Sequence, residues 1–91
     1  MKLSKGYVLR DVMGEKVIMA EGLEASVNFG RLQCLNETAA WLWEEAGRQH
    51  DFSAASLTAA LCDEYNVSQE KAGKDVSAII IQWQEKGLVE D

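Results

Sequence analysis

Few residues in this 91-residue chain could do chemistry. There are two cysteines, Cys34 and Cys62, and one histidine, His50. The separation of the cysteines matches neither a zinc-binding nor a redox spacing. His50 lies beside Asp51 in a polar stretch, and the sequence offers it no partner base or ligand. We therefore expect no metal site, a surface histidine, and two free thiols that pack as small side chains.

The carboxylates do not suggest acid and base catalysis. Glu44-Glu45 and Asp63-Glu64 are neighbours within predicted helices, where successive side chains point about 100° apart, so they fit solvated faces. Gly14, Gly22 and Gly30 are too far apart to form a phosphate-binding loop. The sequence predicts a protein that is not an enzyme and needs no cofactor.

The net charge of −6 argues against nucleic acid as a partner, because phosphate binding depends on clustered Lys and Arg. An acidic face could attract a basic peptide or a basic patch on an enzyme, although a charged surface also serves solubility. No apolar run approaches the ~20 residues that cross a bilayer. The N-terminus lacks the apolar segment of a secretory signal, so we expect a cytoplasmic protein with no membrane partner.

The first half of the chain predicts strands. Residues 7–13 and 16–20 are two apolar runs that flank Gly14-Glu15, which is typical of a hairpin with a type II′ turn. A third strand is expected over residues 27–34. Its apolar alternation is poor and it contains Gly30, so a bulge is expected in it.

The second half predicts three helices. Asn36 can cap the first, and Gly47 is expected to end it. Ser53 or Ser56 caps the second, and Ser68 caps the third, over residues 69–86. Three strands followed by three helices make an α+β fold, a winged-helix-like single domain over residues 1–91 with a leading three-stranded antiparallel sheet.

Two features depart from simple amphipathic patterns. Trp41 and Trp43 are two positions apart on a helix, so at least one of them could be partly exposed at the edge of a groove. Ile81 points away from the apolar stripe of the third helix. It is either an isolated exposed apolar residue or part of a second hydrophobic surface. That stripe is expected to contain Ala72, Val76, Ile79, Ile80 and Trp83.

The motif Leu35-Asn36-Glu37-Thr38-Ala39-Ala40, with Gly47 and the closing Lys86-Gly87-Leu88-Val89, resembles the PqqD-like family over residues 27–89. These domains are also called RiPP recognition elements and serve natural product biosynthesis. The resemblance implies a non-catalytic peptide chaperone that binds the leader region of a precursor peptide. It would act in trans and present the peptide to a modifying enzyme such as a radical SAM protein, a protease or a cyclase.

The resemblance also implies where the peptide binds. The leader would add as an antiparallel strand to the third strand, in a groove whose other wall is the third helix. The predicted strand residues in contact with the peptide are Val27, Asn28, Phe29, Gly30, Arg31, Leu32, Gln33 and Cys34. The predicted wall residues are Lys74, Ser77, Ala78, Ile81 and Glu85. Leu35, Asn36 and Thr38 are expected to have structural roles.

Two other functions remain open from the sequence. The second and third helices could form a helix-turn-helix, so a winged-helix DNA-binding module is one alternative. Its recognition helix would begin at Ser68, where two lysines accompany two acids. The other alternative is a structural module that forms a homodimer through the same exposed strand edge.

Overall fold

The computed structural model describes residues 1–20 and 31–90, with residues 12 and 31–34 described by their backbone. Five strands and three helices lie in these ranges. In chain order they are β1 (Lys2–Leu3), β2 (Tyr7–Val12), β3 (Glu15–Ala20), β4 (Arg31–Leu35), α1 (Glu37–Gln49), α2 (Ala54–Glu64), α3 (Gln69–Glu85) and β5 (Val89–Glu90).

The strands form small antiparallel sheets. One has the order β2-β3-β4, and β1 pairs separately with β5. The α+β class, with three helices and small antiparallel sheets, is confirmed. The sequence did not predict the β1–β5 pair, because each strand has only two residues and neither shows alternation.

The β2–β3 hairpin was predicted, but the turn assigned to it was wrong. Val12 pairs with Glu15, so the loop is Met13-Gly14 rather than Gly14-Glu15. Met13 has φ 53° and Gly14 has φ 85°. Positive φ at both loop positions is the signature of a type I′ turn, whose twist matches that of the flanking strands. Met13, at the tip of the hairpin, is 97% exposed.

The expected bulge is present in β4. Ile18 pairs with Gln33 and Met19 pairs with Arg31, so Leu32 is the extra residue between them. The predicted strand residues Val27, Asn28, Phe29 and Gly30 lie outside the described residues. The bulge interrupts the pleat, which accounts for the poor alternation across this part of the sequence.

Helix α1 begins where Asn36 predicts. The Asn36 Oδ1 atom accepts a hydrogen bond of 2.8 Å from the Ala39 backbone N–H. The prediction that Gly47 ends the helix was wrong, because α1 continues to Gln49 and His50 forms the C-cap with φ 67°. Gly47 instead faces β1, and a Cβ there would lie 3.7 Å from Leu3 Cδ1.

The starts of α2 and α3 and the end of α3 agree with the sequence, whereas α2 ends at Glu64 with Tyr65 as its C-cap and without a left-handed Asn66. Ser53 and Ser56 form a capping box at the start of α2, with hydrogen bonds of 2.8 and 3.0 Å between side chain and backbone. Ser68 accepts a hydrogen bond from the Lys71 N–H at the start of α3. Gly87 follows the C-cap of α3 with φ 71°, in the left-handed conformation that favours glycine.

The core lies between the helices and the inner face of the sheet. Trp43 and Trp83 meet edge to face with ring centroids 5.3 Å apart. Ile18 of β3 and Leu88 before β5 join the same buried cluster. Trp43 is buried and Trp41 is half-buried, so the two tryptophans differ as expected. None of the described helices is both long and apolar enough to cross a bilayer.

Candidate functional site

Strand β4 lies at an edge. It pairs with β3 on one side, and no other described strand pairs with it. The outward N–H and C=O groups of an edge strand are available to another extended chain. One residue after β4, Asn36 caps α1, so the end of this edge leads directly to the start of a helix.

A shallow cleft opens between this junction and α3. It has a volume of about 250 Å³. Asn36 and Thr38 line it from the start of α1, and Asp75, Ala78 and Ile79 line it from α3. An apolar floor beside an amide, a hydroxyl and a carboxylate suits a side chain of an extended peptide. We call these five residues the leader cleft.

Ala78 is the predicted wall residue that lines the leader cleft. Lys74, Ser77, Ile81 and Glu85 are exposed on the neighbouring outer face of α3, and Ile81 is 53% exposed. Lys74 Nζ lies 3.7 Å from a carboxylate oxygen of Glu70. The predicted strand residues Arg31, Leu32, Gln33 and Cys34 lie in β4. The peptide-binding role of all these residues stays a prediction.

The sequence did not predict that Asp75 and Ile79 line this cleft. It predicted only structural roles for Asn36 and Thr38. Ile79 was placed on the core stripe, but it is half-buried at the edge of that stripe. The sequence predicts the groove wall on the side of α3 opposite the core stripe. Successive residues turn by about 100°, so a face flanking the stripe contains Asp75, Ala78 and Ile79 instead. Both flanks of the core stripe are therefore candidates for a groove wall.

The cleft is acidic. Asp75 forms no ion pair with any described residue, so its negative charge is available to a ligand. Among residues 1–20 and 31–90, no group of three or more His, Cys, Asp or Glu side chains could hold a metal ion.

A second surface, which we call the Trp41 groove, adjoins α1. Trp41 meets Tyr65 edge to face, with ring centroids 5.8 Å apart and planes at 78°. Shallow clefts of about 240 and 290 Å³ lie on either side of Trp41. The acidic side chains that line them are Glu37, Glu44, Glu45, Asp63 and Glu64, and the basic ones are Lys16 and Arg48.

The family described as coenzyme PQQ synthesis protein D (PqqD) matches residues 15–89. The chain belongs to this family, and the resemblance seen in its sequence motifs is confirmed.

Solved structures share the fold. One is TbiB1 in complex with the TbiA(beta) leader peptide, with 20% identity, a TM-score of 0.73, and coverage of 99% of this chain and 95% of that chain. Another is lasso peptide synthetase B1 complexed with the leader peptide, with 22% identity, a TM-score of 0.71, and coverage of 99% and 96%. No curated protein matches the chain significantly.

Proposed function

We propose that this chain is a non-catalytic peptide chaperone. It binds the leader segment of a ribosomally made precursor peptide and presents the rest of the peptide to a modifying enzyme. Membership of the PqqD family is the observation that carries this proposal, and structurally similar proteins are complexed with leader peptides. Residues 1–91 act as one peptide-binding domain, in the cytoplasm where the precursor is made.

The leader binds as an antiparallel strand on β4. The edge of this strand that no described strand pairs with can supply main-chain hydrogen bonds, which provide affinity for almost any extended sequence. The leader cleft then provides selectivity, because it accepts a side chain between Thr38 and Ile79. Asp75 favours a basic or hydrogen-bond-donating neighbour on the peptide.

This function fits the charge better than winged-helix DNA binding does. The net charge is −6, and Lys74, in the first half of α3, already faces the Glu70 carboxylate. A DNA-binding helix needs cations that are free to displace counterions from phosphates. Homodimerisation through β4 would use the same edge as the peptide, so it would compete with leader binding.

A scan of N-methylated peptides tests strand addition directly. The probe is the leader peptide of a short precursor encoded beside this gene, synthesised as a series with one N-methyl group at each successive residue. In an antiparallel ladder alternate N–H groups point to the partner strand. We expect affinity to fall at every second position and to stay near its original value between them. Each pair of neighbouring peptides is its own control.

The same unmodified peptide locates the site. In an amide NMR titration we expect shifts along β4 and at Asp75, Ala78 and Ile79. Affinity without a period of two in the N-methyl series would overturn strand addition. No shifts at high peptide excess would overturn leader binding and point to a protein partner.

A further inference from the structure

The leader cleft and the Trp41 groove are neighbours, and a further cleft between them shares lining residues with both. Asn36 lines the leader cleft and also a cleft of about 470 Å³ over the start of α1. Lys16 and Glu37 belong to that cleft and to the first half of the Trp41 groove. Trp41 lies between the two halves of the groove and lines both. A single extended chain could follow this path from α3 across α1 to α2.

Acidic side chains outnumber basic ones along this path. The Lys16 Nζ atom lies 3.3 Å from Asp11, and Arg48 lies 3.0 Å from Glu45, so both cations of the groove have partners. Among the described residues nothing forms an ion pair with the acidic side chains that remain in the groove, which are Glu37, Glu44, Asp63 and Glu64.

The aromatic pair adds a second reason to expect a cation. Trp41 is half-buried and Tyr65 is 39% exposed, so parts of both rings meet solvent. Arg and Lys side chains bind over such ring faces, and their alkyl stems cover apolar surface while the charged head reaches a carboxylate. A Trp–Tyr pair bordered by these carboxylates therefore complements basic side chains.

Strand polarity says which part of a peptide would reach this groove. β4 runs from Arg31 to Leu35 towards α1, so a strand antiparallel to it has its N-terminal end beside Leu35 and Asn36. Residues upstream of the strand-forming segment would leave the edge there, at the start of the path to Trp41. Downstream residues, which carry the part to be modified, would leave at the opposite end of β4.

We propose that the Trp41 groove is a second subsite for the same peptide, and that it binds basic residues N-terminal to the strand-forming segment. This inference rests on the proposed leader binding and extends it to a class of leader. Glu44 lies about 12 Å along α1 from Asn36 at about 1.5 Å per residue. An extended peptide covers that distance in about four residues. The basic residues should therefore begin within about four positions of the strand segment.

The first experiment tests the groove without the leader. The probe is acetyl-Arg-Lys-Arg-Lys-amide, with acetyl-Gln-Gln-Gln-Gln-amide as its control. At low salt we expect the basic probe to shift the Trp41 indole N–H signal and the Tyr65 ring signals. The double variant Glu44→Gln, Asp63→Asn should lose the shift. The matched double variant Glu70→Gln, Glu90→Gln changes the same net charge elsewhere and should keep it.

The second experiment tests whether the groove binds basic residues of the leader peptide itself. The leader peptide is synthesised with Arg-Lys-Arg-Lys or with four Gln immediately N-terminal to its strand segment. We expect the basic version to bind about 3- to 10-fold more tightly at low salt, with the advantage lost at 0.5 M NaCl. The Glu44→Gln, Asp63→Asn variant should not distinguish the two peptides.

Three results would overturn the proposal, and each differs from failure of leader binding. If the millimolar basic probe causes no shift at Trp41, the groove is not a subsite for basic residues. The N-methyl scan tests leader binding at β4 separately, so the two failures can be told apart. A shift with the probe but equal affinity of the two leaders would assign the groove to a basic segment of another protein. Equal loss in both double variants would show that net charge alone attracts the probe.

Discussion

Helix α3 has two faces with opposite properties. The inner face is sealed, with Ala72, Val76 and Trp83 fully buried. The outer side is open to solvent, where Ala78 is exposed and lines the leader cleft. Buried apolar area stabilises the fold, whereas exposed surface beside a strand edge is available to a partner. Substitutions on the two faces should therefore separate stability from binding.

The largest effect is expected at the centre of the inner face. Trp83→Ala removes a buried indole that meets Trp43, and it leaves a large cavity. We expect the free energy of unfolding to fall by about 3–5 kcal/mol, measured by urea denaturation. Gln84→Ala, at the exposed neighbouring position, is the control and should change it little. A small loss for Trp83→Ala would mean that the sealed face is loosely packed.

The next effect concerns affinity on the open side. Ala78→Arg fills the leader cleft, so we expect leader affinity to fall about 10-fold, or roughly 1.4 kcal/mol, measured by calorimetry. Ser77→Arg adds the same side chain one position away, outside the residues that line the cleft, and should change affinity less than about twofold. Equal losses in the two variants would mean that filling the cleft is not what lowers the affinity.

A smaller and stabilising effect is expected where α3 meets α2. A Cβ at Gly73 would lie 4.0 Å from Thr58 Cγ2, which is an ordinary van der Waals distance. Gly73→Ala should raise the free energy of unfolding by about 0.5–1 kcal/mol, since alanine loses less backbone entropy in a helix. Thermal unfolding measures this change, and leader affinity should stay constant. A lower melting temperature would mean that the contact between α2 and α3 tolerates no added methyl group.

The smallest effect is expected at Ile81, the exposed apolar residue of α3. Ile81→Ala should change stability by less than about 0.5 kcal/mol, because the side chain is largely solvated. Leader affinity should change less than about twofold, measured in the same titration as Ala78→Arg. A tenfold loss would place the peptide on the face that contains Lys74 and Glu85, as the sequence predicted, rather than in the cleft.

The sequence predicted features whose interactions are local along the chain. Asn36, Ser53 and Ser68 were identified as caps because a capping hydrogen bond joins residues only three positions apart. The sequence did not predict that Gly47 lies close to Leu3, since this proximity depends on β1 packing beside α1. Helix propensity alone treated that glycine as a stop, and tertiary contact overrode it.

The site was only partly predictable for the same reason. Periodicity identified Val76 and Trp83 as core, but it does not say which flank of the buried stripe meets another element. That choice depends on how α3 lies relative to the junction of β4 and α1. Ala78 was predicted as a wall residue and does line the cleft, whereas the positions of Asp75 and Ile79 in its lining depend on the arrangement of the elements in space.

The pairing of β1 with β5 has a consequence for folding kinetics. Lys2 pairs with Glu90, so this ladder joins residues almost a full chain length apart, whereas the β2–β3 hairpin closes a two-residue loop. Contacts between distant residues wait until the intervening chain has been ordered, because loop closure costs entropy before the contact stabilises anything. The hairpin should therefore be structured in the folding transition state, and the β1–β5 ladder should form after the rate-limiting step. Substitutions at Leu3 or Val89 should then speed unfolding and leave the folding rate almost unchanged.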